Sequence, residues 1–551
     1  MSIPGELDRA RRMAFAADET GARDLLLSLI PRIEQEDSDD LMLEVLAQLG
    51  EIYLVRGAHD GVRESIRRIN DCLAIYAHIG GAEHAQMIRR YSRQAQFLQT
   101  GLAAALGDHE GAASALKLLD DNGSDDTHVR TYARVLCAGA LCDDDLHVQS
   151  VPLWESAIRD IEGGEGGDEA ADHLWISAAT GYGRFCVETG RLAEAEPWLR
   201  RAGARAHAKG WELAEARTQL ELATARWAAN DHAATERLVS QAYPVIARYA
   251  RAHDVARCWL YLGLTRMASG ALGAADECWE HAERHWRELG KPLHIHRILL
   301  QRSWIAIFRG RFATAVEQIA QARECLDSSP RSSWLQYARL DNHLGTVWRA
   351  DALADLGFDA AGDPDETLEE TEARQAESLG VLRGEVGSDA YWRGLRKLEQ
   401  AAELKVPAAL AVDSVRYSIA DADARSRWAT SVSAPMLASA FAVAWEWENT
   451  ELISELVEYH SARGTFSTDA PARELGEWAA TATAPVVIDP EPALAAAGPA
   501  VAGLSLVRLG PLPPLQMQPD SPAILSRYRA LALQRYGRDV TAAEPAWSTW
   551  P

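Results

Sequence analysis

Between residues 181 and 322 the chain repeats itself every 40 positions, and few architectures tolerate such a register. Aligned on that interval are GYGRFCVETGRLAEAEPWLRRA from Gly181, ELATARWAANDHAATERLVSQA from Glu221, YLGLTRMASGALGAADECWEHA from Tyr261 and QRSWIAIFRGRFATAVEQIAQA from Gln301. A small residue recurs at Gly183, Ala223, Gly263 and Ser303, and a turn former at Gly190, Asn230, Gly270 and Gly310. A second small residue follows at Ala195, Thr235, Ala275 and Ala315, then a large apolar one at Leu199, Val239, Trp279 and Ile319. Each copy closes on alanine, at Ala202, Ala242, Ala282 and Ala322.

Each column has a physical reason. The first small residue suits a helix crossed closely by another, where a large side chain would hold the pair apart. Glycine or asparagine suits the position after a helix, which favours φ > 0. The second small residue lets the next helix dock, and the large apolar one supplies buried bulk. The repeating unit is therefore a helix hairpin. This succession resembles the tetratricopeptide repeat, although 40 residues exceeds that repeat's usual length of about 34. Its apolar position four before the first small residue is met by Trp259 and Leu299 but not by Ala179 or Gln219. The resemblance implies a right-handed α-solenoid with longer helices or loops. Less regular copies precede the block, with Gly50, Tyr53 and Gly57 in one and Gly107 and Ala112 in another.

Composition agrees with an all-α chain. Of 551 residues, 47% are hydrophobic and 25% charged, as in ordinary folded proteins, and strong helix formers dominate. With 80 acidic against 56 basic side chains the net charge is -24, which disfavours nucleic acid as a partner; Arg200, Arg201 and Arg205 read as a solvated helix face. The N-terminus has acids early and no apolar core of a signal, and no stretch has the length of a membrane span, so a cytoplasmic protein without membrane contact is expected. Seven scattered cysteines without a C-x-x-C pair read as small buried residues. The expected layout is irregular helical repeats over 1–165, regular repeats over 166–330, a helical region over 331–465 and a Pro/Ala-rich tail over 466–551. An acidic loop is expected at Ala360 to Ala373, a solvated turn at Asp120 to Asp126, and one helix in the tail with Ser521 as N-cap and Pro522 as its first residue.

Two C-terminal stretches, Val412 to Gly464 and Leu512 to Gly537 followed by Trp547 and Trp550, resemble the helical region of actinobacterial proteins that carry a caspase-like CHAT peptidase domain. The histidine and cysteine of such a peptidase are not placed for it here: the last cysteine is Cys325 and the last histidine His460. The resemblance implies a repeat scaffold that regulates, or adapts, a separately encoded bacterial peptidase.

No catalytic, metal or cofactor residue is expected. His281 and His285 lie four apart, but Ala282 follows the first where a metalloprotease would need glutamate, and no third ligand is set by spacing. A partner groove is expected on the first helix of each hairpin, at Arg184, Val187 and Glu188, at Thr224 and Trp227, at Leu264 and Met267, and at Trp304, Ile307 and Phe308. An apolar groove of that kind suits an amphipathic helix or extended peptide; if helices fill it, the same residues are core. The expected function is a protein–protein interaction scaffold, the alternative being a repeat module that senses a peptide or small molecule.

Overall fold

A computed structural model of the chain describes residues 2–81, 84–121, 127–144, 146–162, 168–330, 332–357, 385–417, 428–462 and 523–540. All secondary structure among them is helical. The expected features at Ala360 to Ala373, Ser521 and Pro522, and most of the tail, including Trp547 and Trp550, lie outside the described residues, as does all but the start of Asp120 to Asp126. No helix among the described residues is long and apolar enough to cross a membrane.

The chain divides into two compact units, 1–254 and 255–551, and the division falls inside the 40-residue register. The first contains α1 (Ile3–Phe15), α2 (Glu19–Glu36), α3 (Asp39–Val55), α4 (His59–Ile79), α5 (Ala85–Leu106), α6 (His109–Asp121), α7 (Thr127–Asp143), α8 (His147–Glu162), α9 (Glu169–Glu188), α10 (Leu192–Lys209), α11 (Glu212–Ala228) and α12 (His232–Arg248). The second holds α13 (Ala252–Ala268, beginning at the boundary), α14 (Leu272–Glu288), α15 (Pro292–Phe308), α16 (Phe312–Asp327), α17 (Trp334–Asp355), α18 (Asp389–Ser414), α19 (Ala434–Glu446), α20 (Thr450–Ala462) and α21 (Ser526–Tyr536). In the tail, α21 begins at Ser526 after Leu525, which has φ 56°, so the turn that starts it lies later than the Ser-Pro pair suggested.

The hairpins turn where the register places them. Gly190, Asn230, Gly270 and Gly310 all have φ between 62° and 76°. A second set of residues with positive φ, at Gly210, Ala250 and Gly290, falls midway between these turns. The small-residue column is matched to the bulky one: a Cβ on Gly183 would lie 2.5 Å from Leu199, and one on Gly263 2.2 Å from Trp279. Leu199, Val239 and Trp279 have no exposed surface and Ile319 almost none. Trp279 also donates its indole N–H to the carbonyl of Leu260 at 3.2 Å, across the same hairpin. Gly50 and Gly101 play a different part, admitting Leu98 and Leu54 between first helices of neighbouring hairpins.

In the second unit the register ends with α16. α17 and α18 then form a long antiparallel pair, on which α19 and α21 pack around a core that includes Leu398, Val406, Leu410 and Trp428. Lys405 is fully buried there and donates to the hydroxyls of Thr346 at 2.6 Å and Ser439 at 2.5 Å.

If the small-against-large pairing sets the hairpin spacing, Gly263→Val will destabilise the protein by about 3 kcal/mol, and much of that loss will be recovered on adding Trp279→Leu. Thermal unfolding of the two single variants and the double variant checks this; strictly additive losses would contradict it.

Candidate binding surface

Within the first unit the first helices of successive hairpins touch one another, α1 on α3, α3 on α5, α5 on α7, α7 on α9 and α9 on α11, and α1 returns to touch α9. They make up an inner layer. The N-terminal hairpin is locked onto the end of this unit by a buried ion pair between Glu19 and Arg251, 232 residues apart.

Aromatic and ionisable side chains from several of these helices meet on that layer. The His173 ring on α9 stacks on Phe15 at 4.7 Å, receives the edge of Tyr132 at 5.7 Å and lies 6.0 Å from Trp211. Phe97 of α5 extends the group to 5.4 Å from Tyr132. Burial pushes the His173 pKa down to about 4, with His128 and Arg217 adding repulsion, so the ring is neutral at physiological pH. Burial pushes Tyr132 up to about 12, and Glu51 of α3 from 4.5 to about 7; at Glu51 the nearby Arg11 opposes the shift and Glu44 reinforces it. Arg217 of α11 is held charged by Asp254, at 2.8 Å, yet keeps 43% of its side chain exposed. A solvated guanidinium, a half-ionised carboxyl and stacked rings thus converge from α1, α3, α5, α7, α9 and α11.

A second group lies where α7, α8 and α9 end or begin. Arg184 bridges Asp143 and Glu188, both at 2.7 Å; burial opposes its charge, but Glu188, Asp143 and Glu221 outweigh that and raise its pKa well above the ordinary value. His147 Nε2 lies 2.8 Å from Glu188, and Cys142 Sγ lies 3.5 Å from the Ser150 hydroxyl. Burial, with Glu188 adding, pushes the Cys142 thiol up to about 12. Among the described residues, Cys142, His147 and Glu188 are the one trio of potential metal ligands whose donor atoms all lie within 4.8 Å of each other.

The expected groove residues divide sharply. Arg184 and Glu188 keep 17% and 27% of their side chains accessible. Val187, Thr224, Trp227, Leu264, Met267, Trp304, Ile307 and Phe308 are buried. Trp227 stacks on His232 at 4.6 Å, and Trp304 lies 4.6 Å from His343. Most of α15 is buried, Arg297 excepted, with α14, α16 and α17 packed on it. His281 stacks on Trp259 at 4.7 Å, His285 faces Glu288 at 3.9 Å, His294 stacks on Trp286 and His296 bonds to the carbonyl of Ala322. Arg200 pairs with Glu196, whereas Arg201 lies over Trp198 at 4.2 Å and Arg205 binds Asp172. The group around His173 was not expected, because its members come from distant hairpins and none repeats at the 40-residue interval.

No family model and no curated protein matches the chain. Among solved structures it is similar to a Rap protein complexed with Competence and Sporulation Factor, at 11% identity and a TM-score of 0.43, covering 74% of this chain and 98% of that one. It is also similar to Scc4 in complex with Scc2n and Ctf19n, at 10% identity and a TM-score of 0.38, covering 85% of this chain and 91% of that one.

Glu51 binds its proton more tightly in the folded protein than in the unfolded chain, so its ionisation weakens the fold as pH rises from 4.5 through about 7. Glu51→Gln should therefore stabilise the protein by about 2 kcal/mol at about pH 8, after allowance for residual solvent contact, and by little at about pH 5. Unfolding curves at the two pH values check this; an equal gain at both would contradict it.

Proposed function

We propose that this protein is an interaction scaffold and that its partner's docking segment lies on the inner layer of the first unit, around His173, Tyr132, Glu51 and Arg217, with Arg184 and Glu188 extending the surface. The observation that carries this reading is the convergence itself. Aromatic faces and exposed charge supply most of the energy where proteins bind one another, and here they are gathered from six helices. Side chains mounted on helices are already ordered, so a segment laid across them loses little to their immobilisation.

A separately encoded caspase-like peptidase is the partner that the sequence resemblance suggests. Part of its first stretch is helical, as α19 and α20, and Asp413 accepts a buried hydrogen bond from Tyr459 at 2.7 Å within it. The proposal does not depend on that identity.

A photoreactive amino acid placed at His173, and in a separate variant at the outward Gln241 of α12, tests the reading in the native host's cytosol. The expected result is one dominant cross-linked protein from position 173, none from 241, and at least a tenfold weaker affinity of that protein for Arg217→Glu. Equal cross-linking from both positions, or an affinity untouched by Arg217→Glu, would contradict it. Identification of the captured protein as a peptidase decides the finer assignment.

A further inference from the structure

We propose that Cys142, His147 and Glu188 form a binding site for a zinc-class divalent cation that ties the α7–α8 hairpin to α9. The three come from different helices: Cys142 from the last turn of α7, His147 from the first residue of α8 and Glu188 from the last residue of α9. Their donor atoms lie within 4.8 Å of one another. Zinc bonds of about 2.0–2.3 Å place tetrahedral ligands roughly 3.3–3.8 Å apart, so side-chain shifts of ~1 Å would suffice.

Four features favour a cation over a merely structural contact. The donor set is one thiol, one imidazole and one carboxylate, which suits borderline-soft zinc rather than calcium or magnesium. The His147 side chain is 1% exposed, and its Nδ1 has no hydrogen-bond partner among the described residues, so a buried ring keeps unused donor capacity. Glu188, Asp143 and Glu221 raise the Arg184 pKa well above its ordinary value, so the place already favours positive charge. Finally, the C-terminal ends of α7 and α9 meet the N-terminal end of α8 there, so two dipoles that attract positive charge outnumber one that opposes it. Arg184 stays compatible because it grips Asp143 and the other oxygen of Glu188, leaving Oε2 on the imidazole side. With three protein ligands, the fourth position would go to water. Such a clip would hold Arg184 and Glu188 in place, but the site stands or falls independently of any protein partner.

Cobalt(II) replaces zinc with visible absorption, and the full-length chain, stripped of metal, is titrated with it. The expected result is one equivalent bound, with a thiolate-to-cobalt charge-transfer band and the intense visible bands of tetrahedral coordination. Zinc should displace it and raise the unfolding temperature. The charge-transfer band should vanish in Cys142→Ser and persist in Cys186→Ser. His147→Gln and Glu188→Gln should each weaken binding more than ~10-fold. Circular dichroism establishes that each variant is folded; should Cys142→Ser fail that check, His147→Gln and Glu188→Gln decide. Absence of a thiolate band in the wild-type chain, its survival in folded Cys142→Ser, or unchanged affinity in both other variants would overturn the proposal.

Discussion

The spacing of the two helices in each regular hairpin rests on one small side chain facing one large one. Gly183 faces Leu199 and Gly263 faces Trp279 with no room for a Cβ, and the left-handed turn that follows the first helix brings the partners into register. Because the contact recurs every 40 residues and each turn lies 20 residues from the next, successive first helices emerge at the same place in each copy. In the first unit α9 and α11 belong to this series, and they adjoin one inner layer with α1, α3, α5 and α7, whose hairpins are less regular.

Ion pairs in the first unit reach over very different distances along the chain. Some are local and exposed, as in Arg67 with Glu64 and Asp71 or Arg63 with Asp60, and such pairs contribute little. On the inner layer they span the sequence: Arg184 reaches Asp143, Arg217 reaches Asp254, and Arg251 reaches Glu19 at the other end of the unit. Removing water from the nearly buried Arg251–Glu19 pair is expensive, whereas Arg217 keeps 43% of its side chain exposed.

Much of the fold was legible because hairpin contacts are local. The turns at Gly190, Asn230, Gly270 and Gly310 and the buried bulk at Leu199, Val239, Trp279 and Ile319 appear as columns in the sequence. Of the intervening turns, Gly210 and Gly290 carry a glycine, but Ala250 adopts φ 53° with no side-chain signature to announce it. Groove positions were harder still. Spacing identifies the face of a first helix that leaves its own hairpin, but only the neighbouring layers decide whether that face meets solvent or protein. Arg184 and Glu188 keep some access, whereas Trp304, Ile307 and Phe308 are buried on a helix packed by α14, α16 and α17. Cys142, His147 and Glu188 leave no mark in the sequence for a related reason: 41 residues separate the last two, and proximity arises only when α9 packs against α7 and α8.

Amide hydrogen exchange followed by mass spectrometry reads the underlying periodicity most directly. Protection is expected to drop at residues 190, 210, 230, 250, 270, 290 and 310 and to recover in each intervening helix. Protection that runs unbroken across those turns, or minima that keep a different interval, would contradict the small-against-large hairpin arrangement.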